Sequence, residues 1–212
     1  MTEDFSNFEP LDSPLEQELD PRPSRKRQLI TALICVVIVV LLAVTLALII
    51  KTYVISTYTV DGISMYPTLD GGGGASLDGD SKNGETLYLN RLAKVKRGDI
   101  VVFSPEWESM RQADGTYKAL VKRVIAMSGD RLQIKNGAVW LNGELLDEPY
   151  INEAMGHEYD GLDIVIGDGY MFCMGDNRNH SSDCRAFGQV PQSSLIGKCF
   201  LIKGIDGKLR KP

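Results

Sequence analysis

Histidine is nearly absent from this 212-residue chain, which has only His157 and His180. Its four cysteines contain no C-x-x-C, so the usual framework of a structural zinc site is missing. No excess of basic charge is present either. Lys and Arg number 23 against 28 Asp and Glu, a formal net charge of −5. That balance argues against a nucleic-acid partner, because phosphate contacts need a basic surface. The glycine run starting at Gly71 lacks the Gly-Lys-Ser/Thr ending of a phosphate loop and reads as a mobile surface loop. Past residue 50 no long 3.6-residue apolar period appears, which points away from long amphipathic helices.

What is present is unevenly laid out. Residues 1–20 carry seven acidic side chains and no basic one, then "RPSRKR" follows at once. The first 24 residues read as a tail too polar to form a core. Residues 29–50 are 22 in a row without a charge. As a helix such a run crosses a hydrocarbon core of about 30 Å. A cleaved leader has a shorter apolar region and a small-x-small site at its end, so a retained anchor is the better reading. Arg22, Arg25, Lys26 and Arg27 precede the run and Lys51 alone follows it. The positive-inside bias then places the amino end in the cytoplasm and exports the rest. The organisation expected is a cytoplasmic tail over 1–28, a transmembrane helix over 29–50 and an extracytoplasmic domain over 51–212, in a single-pass protein of the cell membrane. Cys35 falls in the anchor. Cys173, Cys184 and Cys199 are exported, and one disulfide or three free thiols both remain open.

The exported part is built of short β-branched runs: "TLYLN", "DIVVFS", "KALVKRVIAM", "RLQIK", "AVWLN", "YMFCMG" and "KCFLIK". Two Asn-Gly pairs, Asn136 with Gly137 and Asn142 with Gly143, predict two tight hairpins joining three short strands. The fold class expected is mainly β, an antiparallel sheet or barrel-like domain behind one N-terminal helix. "RGD" at Arg97 to Asp99 reads as a turn into "IVVF" rather than as an adhesion signal.

Ser64, in "VDGISMYPTL", follows the anchor closely. It is either a turn hydroxyl or a nucleophile, and a nucleophile needs a neighbouring base. His180 with nearby Asp183 would supply a triad. The G-x-S-x-G elbow is absent, and so is a lysine three residues after the serine. Lys122 is the third source. A strand period of two puts Leu120, Lys122, Val124 and Ala126 on one face, and Val121, Arg123 and Ile125 on the other. A lysine held among such apolar neighbours gives up its proton readily and can act as a base near neutral pH. Arginine cannot, since its guanidinium stays charged.

"SMYPTL", "RGDIVVF", "KRVIAMSGD" and "GDNRNHSSDCR" occur in the order found in type I signal peptidases. The chain resembles that family over most of its exported part, in the single-span form of Gram-positive bacteria. The resemblance implies a membrane-bound serine protease with a Ser-Lys dyad and no cofactor or metal. In it Ser64 is the nucleophile, Lys122 the general base, and the Ser64 N–H part of the oxyanion hole. Ser181 matches a serine that orients the lysine amine. Asp183 and Arg185 match a supporting ion pair, with Asp176 and Arg178 in the same block. The partners implied are the lipid bilayer and signal-peptide-bearing preproteins, cut after small-x-small sites of the Ala-x-Ala kind and bound as an extended strand. The rival function is a catalytically silent, membrane-anchored β domain that binds exported chains or assists pilus assembly. Three departures stand out: Gly62 replaces a second oxyanion serine of two-span relatives, Ser128 a proline, and Cys184 a serine.

Overall fold

A computed structural model of the chain describes residues 24–72 and 84–212. The acidic part of the tail and most of the glycine-rich loop lie outside these residues. The apolar run forms a 25-residue helix, α1 (Arg25–Ile49), which a short wider turn extends to Val54. At 1.5 Å per residue α1 alone measures about 37 Å. None of its side chains is buried by the protein, so its Leu, Ile and Val surface is free to face lipid. It is the one helix among the described residues long and apolar enough to cross a membrane. The chain divides into two compact units, Met1–Leu46 and Ala47–Pro212.

The second unit is antiparallel throughout its strand pairs. Its large sheet holds β1 (Ile55–Thr59), β2 (Thr86–Asn90), β3 (Ile100–Phe103), β4 (Leu120–Met127), β9 (Tyr170–Met174), β10 (Val190–Pro191) and β11 (Leu195–Lys203). They lie in the order β1-β2-β11-β3-β4-β9-β10, and β12 (Leu209–Arg210) pairs with β11. A smaller sheet has the order β7-β6-β5-β8, from β5 (Arg131–Lys135), β6 (Ala138–Leu141), β7 (Glu144–Leu145) and β8 (Asp163–Val165). Its β5-β6-β7 run is the expected double hairpin. Asn136, Gly137, Asn142 and Gly143 all take the positive φ that a two-residue turn of this hand requires.

Apolar residues on both faces of the large sheet explain why its strands read as runs rather than alternations. On β3, Val101 and Phe103 join one core while Ile100 and Val102 join the other. The first core extends under the smaller sheet through Leu132 and Ile134. The second is closed by Met65 and Leu69, just past Ser64. "RGD" is a turn into β3, as expected: Arg97 pairs with Asp130, Gly98 has φ 84°, and Asp99 pairs with Lys198.

Candidate active site

The turn carrying Ser64 leaves the end of β1 and returns towards β2. Its ends are tied by Val60 N–H to Glu85 O and Glu85 N–H to Asp70 O, both 2.9 Å. Gly62 has φ +79°, a conformation that disfavours any side chain. A serine would be strained there. Gly71 lies so close that an added Cβ would overlap the Gly62 carbonyl. Met65 and Leu69 are buried and pin the turn from below, leaving Ser64 half-buried between them and Gly62. The Tyr66–Pro67 peptide is cis.

Lys122 enters from β4, opposite Val101 of β3. It is 3% exposed, and its Nζ lies 2.6 Å from Ser64 Oγ. Burial disfavours the ammonium and lowers the pKa to about 8, partly countered by the charge of Asp183 and by Cys173 and Cys184. Once neutral, the amine can accept the hydroxyl proton of Ser64.

The next residue, Arg123, turns to a different task. Its Nε and Nη2 donate to the two carboxylate oxygens of Asp176 at 2.8 and 2.7 Å. Thr68 Oγ1 donates to the same carboxylate. Through Asp176, the strand that carries Lys122 is fastened to the turn that carries Ser64. Asp183 and Arg185 form the expected pair, a two-pronged contact at 2.8 Å with both side chains at 0% exposure. Asp183 also accepts the Gly175 N–H at 2.9 Å and caps the one-turn helix α2 (Cys184–Phe187). Arg178 is matched by Glu148, at 2.7 and 2.6 Å, which no local pattern in the sequence indicated. Ser181 is adjacent to the turn, since an added Cβ on Gly175 would meet both Ser181 Oγ and Ser64 O. Its buried hydroxyl has no hydrogen-bond partner among the described residues.

The histidine triad does not assemble. His180 is exposed and its Nε2 lies 3.9 Å from Glu153, while Asp183 is engaged by Arg185. His157 pairs with Asp160. All four cysteines are free thiols. Cys173 and Cys184 are in contact, with the Cys173 N–H 3.2 Å from Cys184 Sγ, and burial pushes the Cys173 thiol well above its usual pKa. Ser128, in place of proline, holds its turn by hydrogen bonds instead: its Oγ accepts the Gly169 N–H at 3.0 Å and a proton of Gln192 at 3.3 Å. Asn177, which the sequence did not single out, contacts the Ser64 turn directly through Ile63 and Ser64.

Comparison with known proteins gives a consistent set of relatives. The family described as signal peptidase, peptidase S26, matches residues 33–203. A probable signal peptidase I-2 of Synechocystis sp. is 33% identical over 156 residues, covering 74% of this chain and 66% of its own length. Signal peptidase I S of Bacillus subtilis is 35% identical over 167 residues, covering 72% of this chain and 78% of that protein. A crystal structure of a signal peptidase I from Enterococcus faecalis aligns at 26% identity and a TM-score of 0.39, over 50% of this chain and 97% of that one.

Proposed function

The chain belongs to the signal peptidase family, peptidase S26, a family of hydrolytic enzymes, and from that membership we propose that it is a membrane-anchored serine endopeptidase working through Ser64 and Lys122. One observation carries the mechanism: a lysine amine buried to 3% exposure, its pKa lowered to about 8, lies 2.6 Å from a serine hydroxyl. The neutral amine takes the Ser64 proton as Oγ attacks the scissile carbonyl, and the resulting ammonium then protonates the leaving amine. The Ser64 N–H, which donates to no backbone carbonyl among the described residues, stabilises the oxyanion. Water, activated by the same amine, releases the acyl group from Ser64.

The substrates proposed are preproteins whose signal peptides end in small-x-small sites. Ser64 lies thirteen residues after Lys51, a span of at most about 45 Å when fully extended. With the basic side of the anchor in the cytoplasm, enzyme and signal peptide share one membrane surface. That confinement raises their effective concentration. The test is cleavage of a precursor with an Ala-x-Ala site by the purified full chain in detergent micelles. Mass spectrometry is expected to find a single cut after the second alanine, absent in Ser64→Ala. An intact precursor with the wild-type chain, or cutting by Ser64→Ala, would overturn the proposal.

The pH profile follows from the same amine. Only its neutral form is a base, and that fraction grows as pH rises through about 8. Cleavage at limiting substrate is therefore expected to rise about tenfold per pH unit below 8 and to level off above it. A profile flat between pH 6 and 8 would count against Lys122 as the base.

A further inference from the structure

Asn177 is 4% exposed, and the proton transfers proposed above do not use it. It makes two hydrogen bonds to the turn of the nucleophile. Its Nδ2 donates to Ile63 O at 3.0 Å, and its backbone N–H donates to Ser64 O at 3.1 Å. The Ile63 carbonyl also accepts the Tyr66 N–H at 3.0 Å, so its direction is fixed from two sides.

The consequence comes from the geometry of the peptide unit. A trans peptide is planar, and its N–H points opposite to its C=O. The carbonyl of Ile63 and the N–H of Ser64 belong to one such unit. Holding the carbonyl from behind therefore aims the N–H forward. The second hydrogen bond fixes the following peptide plane through the Ser64 carbonyl. One residue thus sets both planes that flank the nucleophile's Cα. Gly62 contributes no hydroxyl to an oxyanion site, which makes the direction of this N–H more important than it would be with a second donor beside it.

We propose that Asn177 is a positioning residue that directs the Ser64 N–H at the oxyanion of the transition state. The proposal rests on the Ser64 and Lys122 reading and goes one step beyond it. A group that acts this way stabilises charge only as it develops, so its loss lowers kcat and leaves ground-state binding alone.

The experiment compares wild type, Asn177→Ala and Asn177→Asp, each as the full chain in detergent micelles. Asn177→Ala removes the side-chain donor and keeps the backbone one. Losing an oxyanion donor outright costs about 10²- to 10³-fold in kcat. Misdirecting one is expected to cost about 10- to 100-fold, with KM within about twofold of wild type. A peptide aldehyde ending in Ala-x-Ala gives an independent readout. Ser64 Oγ adds to its carbonyl carbon, and the hydroxyl proton passes by way of Lys122 to the new alkoxide, giving a hemiacetal whose oxygen occupies the oxyanion position. Its affinity is expected to fall by the same factor as kcat, while the product peptide ending in Ala-x-Ala binds as before. The rise of rate near pH 8 should not move, because Asn177 does not touch Nζ.

Asn177→Asp has nearly the same shape but sets an acceptor against the Ile63 carbonyl, and it should be no better than Asn177→Ala. It decides the matter if the alanine variant does not fold. Wild-type kcat in the folded fraction of either variant, or equal losses for aldehyde and product peptide, would overturn the role. Failure of the underlying reading looks different, because Ser64→Ala would then still cleave.

Discussion

Lys122→Met should lower kcat on the order of 10⁴-fold without unfolding the protein. Methionine is nearly as long as lysine and has no charge to desolvate, so it suits a side chain that is 3% exposed. The buried amine itself costs stability, as its lowered pKa records. The melting temperature of the variant should therefore equal or exceed that of wild type. In the proposed mechanism, what is lost is the acceptor for the Ser64 proton, 2.6 Å away. Any residual rate over water comes from substrate binding and the oxyanion donor. His180→Ala is the matched control, because that ring is exposed and remote in its bonding from Ser64. It should stay within about twofold of wild type. Cleavage by Lys122→Met within tenfold of wild type, measured on the same precursor, would remove the amine from the mechanism.

Asp183→Ala should lose about 3–5 kcal/mol of stability, the usual consequence of leaving one member of a buried ion pair alone. Both side chains of the pair are at 0% exposure, so water cannot take over from the missing carboxylate. The same substitution removes the acceptor of the Gly175 N–H and the cap of α2. Urea unfolding followed by tryptophan fluorescence measures the loss. Asp183 also raises the pKa of Lys122 through its charge. In whatever fraction of the variant remains folded, the rise in rate should therefore shift below pH 8. A loss under about 1 kcal/mol would mean that Arg185 finds another acceptor, and that the pair is not the support it was taken to be.

Local patterns made part of this architecture legible before any coordinates. Short β-branched runs located seven strands but not the five-residue β1, and two Asn-Gly pairs located the double hairpin, because each depends on neighbours in sequence. β8, β10 and β12 span two or three residues and carry no period, so nothing marked them. The site divides in the same way. A lysine and an arginine side by side on an apolar strand announced that each must be accommodated in the interior. Their partners lay far along the chain: Ser64 is 58 residues from Lys122, and Asp176 is 53 residues from Arg123. Spacing cannot supply such pairings. Ser64 and Lys122 were singled out by resemblance to a family, and Asn177 and Glu148 were missed because hydrogen bonds that reach 114 and 30 residues away leave no local trace.

Two glycines flank the segment between the Ser64 turn and β2. Gly71 approaches the backbone of Gly62, and Gly84 approaches the backbone of Val60 and Gly71, so closely that neither place admits a side chain. With Asp70 and Glu85 also bonded to each other, the two ends meet at a pinch point. Whatever length of chain passes through that pinch, its entry and exit stay fixed, and doubling the length costs only about 0.6 kcal/mol. The place of Ser64 thus depends on the pinch and not on the length of the excursion beyond it.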